Sequence, residues 1–88
     1  MARFEMENAD MAAIGGGASA DVLFEMGLVA ATGRDCEINL VEAHKWLNIA
    51  AIKGSPRAAQ LRSEISEYMS KPEIASALRS AREWMTTH

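Results

Sequence analysis

Few residues of this 88-residue chain could do chemistry, and their spacing argues against most of it. The soft metal-ligand candidates are Cys36, His44 and His88. A metal centre needs several convergent ligands. Here one candidate falls in a loop and another at the terminus, so no metal is expected. Glu42 lies two residues from His44, which places it about 160° away around a helix. The two cannot form an acid–base couple, which needs hydrogen-bond reach. His44 therefore reads as a plain surface or boundary histidine. Gly15-Gly16-Gly17 lacks the Lys-Ser or Lys-Thr of a phosphate loop and follows no strand. With no nucleophile–base pair, paired acids or metal cluster, no catalytic residue and no cofactor is expected. The chain does not read as an enzyme.

Trp46 and Trp84 have the chemistry of binding hot spots or base-stacking platforms. At helical spacing among alanines they read instead as core. Met-rich surfaces can bind promiscuously, but the six methionines are also suited to filling gaps in a small core. Charge narrows the partner class. Residues 1–37 hold seven acids and two bases, and residues 38–88 hold five acids and seven bases. There is no concentrated basic patch to neutralise phosphates, so nucleic-acid binding is not expected. The imbalance suits head-to-tail contact between copies, or is uneven solvated charge. No apolar run approaches the ~18–20 residues needed to cross a bilayer, and no export signal is visible. A cytoplasmic protein without membrane attachment is expected.

The elements that must position these residues are helices. Apolar residues make up 49%, too many for a disordered chain, and Ala, Leu, Met, Glu and Arg far outnumber β-branched residues. Ser19 caps a helix to Thr32, in which Gly27 costs ~1 kcal/mol relative to alanine. Close approach of another helix to that bare backbone is the expected compensation. Asn39 caps a helix from Leu40 to Lys53, with Ala43, Trp46, Leu47, Ala50 and Ala51 on one face. Ser55 and Pro56 open a third, to about Met69, with Ala58, Leu61, Ile65 and Tyr68 or Met69 inward. Ser70 and Glu73 have capping-box spacing and open the last, with Ile74, Ala77, Leu78, Ala81 and Trp84 or Met85 inward. Arg3 to Ile14 reads as a leading helix closed by Gly15-Gly16-Gly17, or as a tail with a glycine linker.

At an offset of 38 residues the chain partly matches itself. Ala12, Ala13, Ile14, Gly16, Ala20 and Leu23 align with Ala50, Ala51, Ile52, Gly54, Ala58 and Leu61, and Ala43 and Trp46 align with Ala81 and Trp84. The stretch from Met26 to Ala58 resembles the Sel-one-like repeat family, relatives of the tetratricopeptide repeats. The residues that carry the resemblance are Gly27, Gly33, Ala43, Trp46, Ala50, Ala51, Gly54 and Ala58. Met26 replaces the family's leucine, Asp35 its second loop glycine, Cys36 its valine, Asn39 its aspartate and Leu47 its second aromatic. Asp tolerates the left-handed backbone of a loop glycine better than most residues. Cys36 in the valine place implies buried packing. Ala30 replaces the family's tyrosine and removes a large side chain from the helix interface. Phe24 or Tyr68 could compensate.

The resemblance implies an all-α fold, a short alpha-solenoid of antiparallel helix pairs. Residues 1–17 would be a partial leading helix and turn, 18–54 a complete repeat and 55–88 a degenerate second repeat. It also implies a non-catalytic adaptor or scaffold that binds another protein. The candidate surface is the exposed side of the first-of-pair helices, around Phe24, Glu25, Leu28, Gln60 and Arg62. The alternative is self-assembly, a homodimer or larger, through Met6, Ile14, Leu78 and Met85. If Trp46 is core, Trp46→Ala costs ~3–5 kcal/mol in denaturant unfolding.

Overall fold

Each helix begins at a small polar side chain that accepts a backbone proton. The computed structural model describes residues 19–88, which form four helices: α1 Ala20–Thr32, α2 Leu40–Ile52, α3 Pro56–Ser66 and α4 Lys71–Thr87. Ser19 Oγ accepts from Val22 N–H at 3.2 Å, Asn39 Oδ1 from Glu42 N–H at 3.0 Å and Ser55 Oγ from Ala58 N–H at 3.1 Å. Ser70 and Glu73 form a reciprocal capping box at 3.2 and 2.8 Å. No strand occurs among the described residues. The expected helix at Arg3–Ile14 and its glycine turn lie outside them.

The third helix is shorter than its sequence implied. It ends at Ser66, and Glu67, Tyr68 and Met69 donate to carbonyls three residues back in a tightened last turn. That turn carries Tyr68 outward to 81% exposure, while Met69 stays against the core. Leu78 also departs from its expected inward place and is 38% exposed. Ala77 and Ala81 are buried as expected, and both are small enough to let the α4 backbone come close.

α2 is the centre of the packing. α1, α3 and α4 each lie against it, whereas α3 and α4, though consecutive, have almost no contact with one another. The expected antiparallel pairing is thus seen for α1 and α2 but not for α3 and α4. A reason is visible in the side chains: the edge-to-face contact of Trp84 with Trp46 ties α4 to α2. Cover from three helices explains why α2 buries Ile49 and His44 as well as Ala43, Leu47 and Ala50. Leu23, Leu47 and Ile49 are the largest side chains with no exposed surface.

The α1–α2 seam is held at its closest point by a missing side chain. Gly27 faces Leu47 and Ala43, and Ala30 faces Asn39, so rising numbers in α1 meet falling numbers in α2 and the helices run antiparallel. A Cβ at Gly27 would sit 2.6 and 2.7 Å from Leu47 Cγ and Cδ2, and 3.3 Å from the Ala43 carbonyl oxygen. Leu47 is fully buried and has no open space to retreat into. Beyond α1 the chain reverses through Gly33 (φ 73°) and Asp35 (φ 61°), so Asp35 takes the left-handed backbone expected of it.

Gly27→Ala should therefore destabilise the protein by ~1–3 kcal/mol through overpacking, even though alanine is the better helix former. Urea unfolding of the variant checks this, and an unchanged or raised midpoint would mean that the seam yields.

Candidate functional site

An open concavity lies where the α1–α2 seam ends at its loop. α1 contributes Met26, Val29 and Ala30, one stripe at i, i+3 and i+4. The loop contributes Cys36, Glu37 and Asn39, and the start of α2 contributes Glu42 and Trp46. Together they line an open, mainly apolar cleft of about 430 Å³. The loop is pinned to α1 because Asn39 N–H donates to the Ala30 carbonyl at 2.9 Å. Cys36 Sγ lies 3.7 Å from the Val29 carbonyl oxygen.

Trp46 forms one wall and is held on several sides. Its indole Nε1–H donates to Glu42 Oε1 at 3.1 Å. Its ring meets Trp84 edge to face, with centroids 5.6 Å apart and planes at 83°. Lys45 Nζ lies 4.1 Å from its ring centroid. Trp84 in turn stacks on His88 at 4.5 Å. Trp46 is therefore a half-buried boundary ring, not the core residue its spacing suggested.

The absence of a large side chain at position 30 leaves this space open. Neither expected substitute lines it: Tyr68 is exposed after α3, and Phe24 is buried in the core with the Arg57 guanidinium 4.6 Å from its ring. Cys36 is exposed at the cleft rather than buried, because it sits on the outside of the loop that reverses the chain.

The surface expected from sequence does not assemble. Phe24, at 8% exposure, belongs to the core and cannot be part of an exposed face. Glu25 is exposed and pairs with Arg34 at 3.1 Å. Leu28 is half-buried against the core, and Gln60 is exposed. Arg62 turns toward α2 and donates to Asn48 Oδ1. α1 and α3 touch only slightly, and of the five residues Phe24 is turned into the core and Arg62 toward α2. Sequence reading missed Met26, Val29, Glu37 and Asn39 as cleft residues. The departure at Ala30 was the one signal pointing there.

His44 is not the surface or boundary histidine that its spacing suggested. It is 3% exposed, and its Nδ1 is buried with no hydrogen-bond partner among the described residues. Positions beside the main stripe of α2 are covered because helices pack on more than one side of it. Glu42 is elsewhere, exposed and bonded to Trp46, so the two form no couple. Burial pushes the His44 imidazole below its ordinary value, and the charge of Arg62 pushes it the same way. No group of metal-ligating side chains occurs among the described residues, and none of their helices is long and apolar enough to cross a membrane. Compared with known proteins, the chain matches no family model, no curated protein and no solved structure.

Two outcomes follow from these side chains. The half-burial of Trp46 lowers the expected cost of Trp46→Ala to about 2 kcal/mol in urea unfolding. His44 binds its proton more weakly when folded, so its contribution to stability is present above about pH 6.5 and lost as pH falls through the lower folded value. His44→Leu should flatten the fall in unfolding midpoint between about pH 7 and about pH 5. An equally steep fall in the variant would assign the acid sensitivity to other groups.

Proposed function

We propose that this chain is a small non-catalytic protein-interaction module of the Sel-one-like helical-repeat type, which receives its partner at the α1–α2 cleft. The observation that carries the reading is the open apolar cleft walled by Met26, Val29, Ala30 and Trp46. Concave apolar surface with a tryptophan and a methionine at its edge is typical of sites that anchor a partner. The solenoid part of the reading is supported by the antiparallel α1–α2 pair and by the close approach at Gly27, where the family has glycine. It is supported too by the equivalent places of aligned residues: Ala43 and Ala81 are both fully buried, and Trp46 meets Trp84. The separation of α3 from α4 departs from a regular second repeat.

A second reading, self-assembly, is favoured by Leu78. It is 38% exposed on α4 beside the exposed Arg79 and Arg82, opposite in charge to the acid-rich first part of the chain. Of the other residues proposed for that contact, Met85 packs against the core, and Met6 and Ile14 lie outside the described residues.

Ala30→Tyr tests the first reading, because it fills the cleft with the side chain that the family resemblance places there. The variant should fold with an unfolding midpoint near that of the parent and lose the proteins that the tagged parent recovers from its own cells. Recovery of the same proteins at the same stoichiometry by both would remove the cleft from the account. Sedimentation of the parent alone tests the second reading: mass that rises with concentration favours it, and a constant monomer mass refutes it.

A further inference from the structure

The partner's chemistry can be read from the charges around the cleft, given the interaction-module reading above on which this inference rests. The floor and walls are apolar, and the polar groups at the rim are largely committed. Asn39 spends its side-chain oxygen on the α2 cap, and Glu42 holds the Trp46 indole through Oε1. A polar metabolite needs several convergent hydrogen-bonding groups to orient it. This cleft does not offer them, and what its rim does offer is negative charge.

Glu37 and Glu42 line the cleft, both exposed, and Asp35, also exposed, precedes Glu37 by two residues in the loop. Of the neighbouring cations, Arg34 is paired with Glu25, and Lys45 lies over the Trp46 ring, so two carboxylates stand against one ammonium at the cleft and the balance stays negative. The volume, about 430 Å³, is at the small end of ligand sites, which run ~300–1,000 Å³. It is enough for one large side chain and too little for a buried element. An apolar floor under an acidic rim is complementary to an apolar anchor carried between basic residues.

We propose that the cleft docks a protein segment bearing a single large apolar side chain flanked by lysine or arginine. The anchor inserts between Ala30 and Trp46, displaces water from Met26 and Val29, and supplies the affinity. The flanking cations meet Glu37 and Glu42, and set orientation and encounter rate more than affinity.

The test is selection from a randomised peptide library displayed on phage, with the full chain as target and its Ala30→Tyr variant as counter-target. Met26→Lys, at an exposed wall position, gives a second block that does not depend on repacking a helix interface. Peptides enriched on the parent should share one Leu, Phe or Trp with Lys or Arg within a few residues. Their affinity should fall roughly tenfold on Glu37→Gln/Glu42→Gln and further on either blocking variant. It should also weaken as salt rises. Enriched peptides without basic flanks that still lose binding to the blocked variants would overturn the charge inference and leave the cleft reading standing. No preference for the parent over either blocked variant would overturn both. Concentration-dependent mass abolished by Ala30→Tyr would place a second copy in the cleft, through its own Leu78 beside Arg79 and Arg82, and overturn the foreign segment.

Discussion

Contact at Gly27 governs this structure. Because no Cβ stands there, Leu47 and the Ala43 carbonyl can occupy the space, and the α1 and α2 backbones come close enough to bury the seam. Helix propensity alone would prefer alanine, so packing outweighs propensity at this position. With α1 seated, α2 has one face covered and offers the rest to α3 and α4. The hub arrangement lets a short chain build a continuous core in which Leu23, Phe24, Leu47, Ile49 and Ile65 pack among four alanines.

Close packing at one end of the seam creates the opening at the other. Gly27 draws the helices together, and Ala30 one turn later leaves the interface short of volume. The reversing loop cannot collapse into the gap, because Asn39 N–H is tied to the Ala30 carbonyl and Asp35 holds a left-handed turn. Trp46 cannot collapse into it either, being held by Glu42, Trp84 and Lys45. A rigid frame around missing volume is the condition for a pre-formed cleft, and pre-forming lowers the ordering cost of binding.

His44 shows the opposite use of the same burial. The helices packed on α2 cover it so fully that its Nδ1 has no partner among the described residues, a cost of ~1–3 kcal/mol, and Arg62 disfavours its charged form. Leucine would pack there without that penalty.

The sequence by itself determined the helices. Ser19, Asn39, Ser55 and Ser70 announce their starts, because a capping oxygen acts on backbone groups two or three residues away and needs no distant partner. Gly27 announced a close approach, and the left-handed turn at Asp35 followed from the resemblance, which has glycine there, and from aspartate's tolerance of that backbone. Only the tertiary structure decided which residues face solvent and where the cleft lies. Phe24 and His44 ended on the side opposite to the one their spacing suggested, and Cys36, which the resemblance placed inside, stands exposed. Periodicity gives one stripe per helix, but burial is set by how many neighbours a helix acquires. That α4 would choose α2 over α3 rests on the meeting of two tryptophans thirty-eight positions apart, a contact no local pattern encodes.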